Sequence, residues 1–370
     1  MRFFFTLIAL IIYGCGESQT KTTTINELGV DNLISKKQAN LIFEKTKEFP
    51  DHTEVAFAFI TNGFTEFYGV KRANDSLINI ENNTSAFEIG SITKVFTATL
   101  LANFALENKL KLDDYIHNYI DTPIKGDKKL SFKQLSNHTS GLDRLPSNLD
   151  LISNPNNPYK NYNEEKLEDY LSNELFLSQQ PGEKYEYSNF GAGLLGYVLC
   201  KIERTGYQNL LEKYITSKYE MKNSTTIRDE IENILVKGRD VGGNETSNWD
   251  LAALVGAGGM LSTTEDLAKF ATAQFDESHK ELKLTRTKTF QISDITDIGL
   301  GWHIINRKSK AVWYCHSGGT GGYSSLILLN PDTKNGIVIL SNVSAFHPKR
   351  NNIDDLGFDI MKAIDEEYTK

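Results

Sequence analysis

The stretch Phe87-Glu-Ile-Gly-Ser-Ile-Thr-Lys-Val-Phe96 leads from a polar segment, residues 74–83, into a long apolar-periodic run that ends near Glu107. That run predicts a buried helix. Ser91 and Lys94 stand three residues apart at its start, so they lie on one face, about 4.5 Å apart along the axis. A serine hydroxyl becomes a nucleophile when a base takes its proton, and a desolvated lysine can be that base. The helix start also offers a free backbone N–H to a developing oxyanion.

The Ser-x-x-Lys spacing alone does not identify Ser91, because Ser18 and Lys21 share it in a segment without other signals. A capping serine followed by a surface lysine would also explain the spacing. The residues after Lys94 are too apolar for a surface helix, so a lysine in the first turn needs a buried partner. Gly90 allows close approach of another backbone segment. This context favours Ser91 as the candidate nucleophile.

Strand patterns lie near both ends of the chain, and helical patterns fill the middle. Short β-branched or aromatic runs are typical of strands, and Asn62-Gly63 between the first two is a strong hairpin signal. The predicted strands cover residues 54–60, 63–70, 311–316, 323–330 and 336–341, and the clearest helices cover 36–47, 163–175, 191–203, 264–275 and 354–367.

This order of elements predicts an α+β fold, an α/β sandwich plus a helical domain. Both chain ends are expected to form one antiparallel sheet flanked by helices. The α/β domain would comprise residues 35–105 and 285–370, and residues 106–284 would form the inserted, mainly helical domain.

The first residues predict export. Arg2 and the apolar residues 3–13 have the pattern of a signal peptide, and the run is shorter than the roughly 20 residues that span a bilayer. The run ends at Ile12-Tyr13-Gly14-Cys15, which resembles a bacterial lipobox with Cys15 as the lipidated residue. An ordinary secretory signal is the alternative. We expect residues 1–15 to be the signal and lipobox, residues 16–34 a flexible tether, and the protein a periplasmic or cell-surface lipoprotein anchored to a bacterial membrane.

Composition excludes several other classes of protein. The net charge is −8 and there is no dense Lys/Arg block, so a nucleic-acid partner is not expected. If Cys15 carries lipid, Cys200 and Cys315 remain, and two buried free thiols are favoured over a disulfide. The chain has no Cys-x-x-Cys or His-Glu-x-x-His motif, so no metal or other cofactor is expected.

A second candidate element is Tyr187-Ser188-Asn189, preceded by Pro181-Gly182 and followed by a helix of small residues. Tyr159-Lys160-Asn161 repeats the spacing in a loop, and the context favours the later copy. A phenol beside a lysine can act as general base or acid, and Asn189 could bind a substrate amide. A core tyrosine with a satisfied hydroxyl is the alternative.

A third element is His316-Ser-Gly-Gly-Thr-Gly-Gly322, which follows a strand-like segment. So many glycines at the end of a strand suggest that another group approaches the backbone closely. Their N–H groups could complete an oxyanion hole. A glycine-rich turn between strands is the simpler alternative.

Together, Ser-x-x-Lys, Tyr-x-Asn and the glycine-rich element, in this order, resemble the serine β-lactamase and penicillin-binding-protein family. The tyrosine points to the class C β-lactamase branch, with its related D-Ala-D-Ala carboxypeptidases, D-aminopeptidases and esterases. The resemblance covers roughly residues 36–365. Further stretches that look like this branch are residues 135–142, 258–266 and 299–302.

The resemblance implies a role for each element. Ser91 would be acylated, and Lys94 and Tyr187 would share the proton transfers, with the assignment between them open. Asn189 would orient the substrate, and the backbone N–H groups of Ser91 and Gly319 would form the oxyanion hole. The other substrate-binding residues would be His316, Ser317 and Gly318.

The chain departs from the family at His316, because the usual third element is Lys-Thr-Gly. A histidine is largely neutral near pH 7, so an ester or amide without a carboxylate becomes more plausible as substrate. No Glu-x-x-Leu-Asn motif is present, so deacylation would use Tyr187, Lys94 or the substrate. The resemblance implies a serine acyl-hydrolase of β-lactams or D-amino-acid peptides. The alternatives are a carboxylesterase on the same scaffold and a non-catalytic peptidoglycan-binding lipoprotein.

Overall fold

The computed structural model describes residues 24–29 and 34–367. The predicted signal peptide, Cys15 and most of the predicted tether lie outside these residues. Within them, ten strands form one sheet and two more form a small second sheet. The strands are β1 Ile25–Asn26, β2 Glu54–Thr61, β3 Phe64–Ala73, β4 Ser76–Ile80, β5 Ala86–Glu88, β6 Leu261–Thr263, β7 Phe290–Ser293, β8 Thr296–Ile298, β9 His303–Asn306, β10 Val312–Gly319, β11 Ser324–Asn330 and β12 Asn335–Ser341.

The large sheet is built from both ends of the chain, as the sequence predicts. Its order is β1-β4-β3-β2-β12-β11-β10-β9-β8-β7. β2 and β12 pair antiparallel at its centre, with Ile60 opposite Gly336 and Val55 opposite Ser341. The fold is thus of mixed α+β class, with a large sheet flanked by helices.

Helices cover both faces of the sheet. α9 packs against β11 and β12 on one face, where α1 joins it, and α7 packs against β2 and β12 on the other. The helices are α1 Lys36–Thr46, α2 Thr93–Leu106, α3 Phe132–Ser136, α4 Glu164–Asp169, α5 Asn189–Glu203, α6 Tyr207–Leu211, α7 Thr264–Ala273, α8 Lys280–Arg286 and α9 Asn351–Glu367.

Side chains of β2 alternate between two apolar clusters, because successive residues of a strand point to opposite faces. Phe57 and Phe59 enter the cluster beneath α1 and α9. Ala56 and Ala58 enter the larger cluster that contains the residues of α2 and α5. The small alanines leave room for α7 to lie close to the sheet. Both faces of the central strands are therefore core.

The structure differs from the sequence prediction in four features. Two residues of the expected tether form β1, which lies at the edge of the sheet and pairs with β4. β4 itself lies within the polar stretch 74–83, and β7, β8 and β9 were not predicted. α7, which the sequence assigns to the helical domain, packs against β2 and β12 of the sheet. Within the described residues no helix has both the length and the apolar character that crossing a membrane requires.

Candidate active site

Ser91 lies in a short 3-10 turn, Gly90–Ile92, that continues directly into α2. Gly90 has φ +50°, and a Cβ at this position would lie 2.6 Å from the backbone nitrogen of Gly319. A Cβ on Gly318 would lie 2.0 Å from the carbonyl oxygen of Ile89. The turn therefore sits against the backbone of β10 so closely that both positions need glycine. This contact brings the first and third sequence elements together.

The backbone N–H of Gly319 faces this turn. Thr320 donates its N–H to the carbonyl of Tyr323, closing the β10–β11 hairpin. Successive N–H groups of an antiparallel strand point to opposite sides, so that of Gly319 points away from β11. β9 pairs with β10 only as far as Cys315, which leaves this side of Gly319 facing Ser91. The two N–H groups proposed for an oxyanion hole are thus neighbours.

Lys94 is buried in the first turn of α2, with 3% of its surface exposed. Its Nζ lies 3.0 Å from Ser91 Oγ, 2.9 Å from Asn189 Oδ1 and 2.6 Å from the carbonyl oxygen of Ala257. The amide and carbonyl oxygens are acceptors only, so they take two N–H groups of the amine. Burial, reinforced by the charge of Arg144, holds the pKa of Lys94 well below its usual value. A neutral amine can then accept the hydroxyl proton of Ser91.

Tyr187 stands immediately before α5, whose first turn carries Asn189. Ser188 caps this helix, because its Oγ accepts the N–H of Gly191 at 2.8 Å. Lys94 Nζ lies 4.9 Å from the centroid of the Tyr187 ring. Desolvation raises the pKa of Tyr187 to about 12, although a hydrogen bond with Ser91 opposes the increase. Tyr187 is therefore a protonated phenol near neutral pH.

A segment without an assigned role in the sequence analysis holds the second element in place. His138 Nδ1 accepts the N–H of Ser188 at 3.2 Å, and the carbonyl of Asp143 accepts the Ser188 hydroxyl at 2.7 Å. The carbonyl of Arg144 accepts the N–H of Asn189 at 2.9 Å. The ring of His138 packs on that of Tyr187, 4.3 Å between centroids. Residues 138–144 thus fix the positions of Tyr187 and Asn189.

His316 is buried in β10 and donates from Nδ1 to the carbonyl of Ser317 at 2.8 Å. Burial holds its pKa well below the usual value. Burial also lowers the pKa of His303 to about 4. The Nε2 of His303 lies 2.8 Å from the hydroxyl of Tyr185. Both imidazoles are neutral at pH 7, so neither supplies the positive charge of the family's third-element lysine.

Tyr159, taken from sequence as part of a chance repeat, also lies at the site. The side-chain N–H of Asn189 donates to its hydroxyl at 3.4 Å. Its ring lies 5.4 Å from that of Trp249, which lies 6.3 Å from that of Phe346. Phe346 is half exposed, so an aromatic wall leads from the surface to Asn189. Spacing along the chain gives no signal for such a contact.

The cysteines and the acidic and histidine side chains form no metal site in the described part of the chain. Cys200 on α5 and Cys315 on β10 are free thiols. Burial raises the pKa of each thiol to about 12, so neither is a thiolate at neutral pH.

Comparison with curated proteins identifies two kinds of relative. A beta-lactamase from Pseudomonas fluorescens is 27% identical over 333 residues, which cover 79% of this chain and 89% of that protein. Protein flp from Staphylococcus aureus (strain MW2) is 28% identical over 289 residues, 72% of this chain and 55% of flp. The chain therefore spans about half the length of the flp proteins that it matches.

Solved structures share the fold. The beta-lactamase/D-alanine carboxypeptidase from Yersinia pestis, complexed with citrate, gives a TM-score of 0.73 at 22% identity, covering 88% of this chain and 96% of that one. The octameric penicillin-binding protein homologue from Pyrococcus abyssi gives a TM-score of 0.73 at 23% identity. The match covers 88% of this chain and 77% of that chain. A family model described as Beta-lactamase matches residues 46–361. Because that match spans most of the sequence, the chain belongs to the beta-lactamase family.

Proposed function

We propose that this protein is a serine acyl-hydrolase that forms an acyl-enzyme at Ser91. The observation that carries the proposal is the contact of Lys94 Nζ with Ser91 Oγ at 3.0 Å, in a buried setting that favours the neutral amine. Asn189 and the carbonyl of Ala257 orient the amine by taking its two N–H groups. Its lone pair is then directed to the serine hydroxyl, as a general base requires.

In this proposal Lys94 is the base and Tyr187 the proton carrier. Lys94 takes the Ser91 proton as Oγ attacks the substrate carbonyl carbon, and the N–H groups of Ser91 and Gly319 bind the oxyanion. The ammonium then passes a proton through the Tyr187 hydroxyl to the leaving group as its bond to the carbonyl carbon breaks. Water releases the acyl group by the same transfers in reverse.

The proposed substrates are β-lactams or peptides of D-amino acids. The names of the Pseudomonas fluorescens and Yersinia pestis relatives favour these classes. The neutral His316 favours a second candidate, a carboxylesterase acting on uncharged esters. We also propose that Cys15 anchors the protein to a bacterial membrane through lipid, which rests on the lipobox-like sequence. Replacement of Cys15 by alanine should abolish membrane fractionation of the protein.

A substrate panel read by intact-protein mass tests the proposal. The panel contains a chromogenic cephalosporin, a peptide ending in D-Ala-D-Ala and a short-chain nitrophenyl ester. Wild-type protein should gain the mass of an acyl group with at least one of them, and Ser91→Ala should neither gain mass nor turn over substrate. Lys94→Ala should be almost as inactive, because the two residues act as one unit. Ser147→Ala, at an exposed serine, is the matched control.

Each alternative predicts a different result. Turnover of the nitrophenyl ester without any reaction of the cephalosporin or peptide would indicate the carboxylesterase. Retention of most activity by Ser91→Ala would show that another residue is the nucleophile. A peptidoglycan-binding protein would bind muropeptides equally well after Ser91→Ala and would form no acyl-enzyme with any substrate.

A further inference from the structure

Arg144 carries a positive charge that the mechanism above uses only to help lower the pKa of Lys94. Its side chain is exposed, and the guanidinium carbon lies 5.2 Å from the centroid of the Tyr187 ring. It belongs to none of the three sequence elements. The guanidinium therefore lies beside the residue that is the proposed proton donor to the leaving group.

The backbone of Arg144 is fixed relative to the catalytic residues. Its carbonyl accepts the N–H groups of Asn189 at 2.9 Å and Phe190 at 3.1 Å, the first residues of α5. The preceding carbonyl, that of Asp143, accepts the hydroxyl of Ser188. Stacking of a guanidinium over an aromatic ring restricts it further. The charge is therefore held at a defined place beside the ring of Tyr187.

The neighbouring cations are less suited to meet a substrate anion. Lys94 is buried with its amine directed to Ser91. Arg350 pairs with Asp354 at 2.6 Å and reaches the carbonyl of Gly318 at 3.4 Å, and only 15% of its side chain is exposed. Of the three cations, Arg144 has the most exposed side chain. Guanidinium groups recognise carboxylates through paired hydrogen bonds and keep their charge at any physiological pH.

We propose that Arg144 binds a carboxylate on the leaving group of the substrate, in the role that a third-element lysine serves elsewhere in the family. The preferred substrates are then anionic acyl donors. This inference rests on the proposed function and names the substrate class of the same site. It reverses the expectation that His316 alone would direct the protein to uncharged esters.

The test compares two substrates that differ only in charge. One is an N-acyl-D-alanyl ester of 3-hydroxybenzoate, and the other is the same ester of 3-hydroxybenzamide. Arg144→Gln should lower kcat/KM for the carboxylate ester about 10- to 100-fold more than for the carboxamide ester, the usual effect of a charge-assisted hydrogen bond. Any change in the pKa of Lys94 affects both esters alike and leaves the ratio of the two kcat/KM values unchanged. Arg144→Lys should retain part of the preference.

Arg307→Gln is the matched control, because it also removes a guanidinium stacked on an aromatic ring, 4.3 Å from the centroid of Trp313. Trp313 lies six residues before Gly319 on β10, roughly 20 Å from the site. This variant should keep the wild-type ratio of the two kcat/KM values. Equal loss for both esters in Arg144→Gln, or no loss for either, would overturn the role of Arg144.

A binding measurement separates this inference from the proposed function. In the Ser91→Ala background, calorimetry gives Kd for 3-hydroxybenzoate and 3-hydroxybenzamide without any need for turnover. Weaker binding of the carboxylate alone after Arg144→Gln supports the inference, even if wild-type protein hydrolyses neither ester and the hydrolase proposal fails. Unchanged Kd values for both ligands refute it, whatever the turnover results.

Discussion

Acidification should destabilise the fold through His303, and His303→Gln should remove that effect. The imidazole lies against β10, its Nε2 is 2.8 Å from the Tyr185 hydroxyl, and burial lowers its pKa to about 4. An unfolded histidine titrates near 6.5. Between these two values the unfolded chain binds more protons than the folded protein, so the free energy of unfolding falls as pH falls.

The size of the effect follows from the two pKa values. The contribution of His303 to the free energy of unfolding is fully present above pH 6.5 and is lost progressively as pH falls toward 4. Below pH 4 it does not change further. Moving from pH 7 to pH 5 should cost about 2 kcal/mol through this one group. Glutamine cannot be protonated in this range, yet it can still bond to the hydroxyl of Tyr185. His303→Gln should therefore lose about 2 kcal/mol less than wild type over the same pH step.

Urea unfolding at pH 7 and pH 5, followed by fluorescence, measures the difference. His117→Gln, which replaces a histidine of a surface turn stacked on Tyr115, controls for the substitution itself. The other titrating groups are common to both proteins, so the comparison of the two pH steps reports His303 together with its influence on the pKa of His138 and His316. Equal losses of stability in wild type and His303→Gln would refute the argument that burial keeps this imidazole neutral.

Two further substitutions test the packing around the site and the sheet. Gly90→Ala should reduce kcat/KM on the order of 100-fold, because the new Cβ would meet the Gly319 nitrogen at 2.6 Å and the two backbones must separate; wild-type activity with an unchanged circular dichroism spectrum would contradict this. Asp365→Ala should lower the free energy of unfolding by about 2–4 kcal/mol in urea titrations, since its carboxylate accepts hydrogen bonds from Trp313 Nε1 at 2.7 Å and Asn335 Nδ2 at 2.8 Å. Asp365→Asn should lose less, and equal losses would indicate that the charge matters more than the bonds.

The centre of the sheet could be predicted from sequence because its strands carry strong local signals. β2 and β3 flank an Asn-Gly turn, and β11 and β12 each contain an unbroken apolar run, residues 326–329 and 337–340. β4, at residues 76–80, lies among polar residues near the edge of the sheet, and only part of its surface is buried. β7, β8 and β9 have three or four residues each, which is too short for a clear strand pattern in the sequence. α7 looks like any amphipathic helix, and only the folded chain shows that it packs on β2.

Some residues of the candidate site could also be predicted from sequence, and others could not. Ser91 and Lys94 are linked by a helical turn, and Tyr187 and Asn189 by a helix start, so each pair leaves a pattern in the sequence. The residues that contact these pairs from other parts of the chain leave no such pattern. Arg144 acts through a backbone carbonyl and a ring contact across the fold, and such contacts require neither a fixed spacing nor a particular neighbour.

The pairing of β2 with β12 limits how early the sheet can be completed during synthesis. Ile60 leaves the ribosome about 275 residues before Gly336, its partner. At about 5–20 residues per second the interval lasts roughly 15–60 s. During this interval β2 has no neighbouring strand on one side, and Phe57 and Phe59 are exposed. An apolar strand with an unpaired edge is prone to aggregation. A chaperone that covers β2 until β12 emerges should therefore raise the yield of folded protein without changing the stability of the finished molecule.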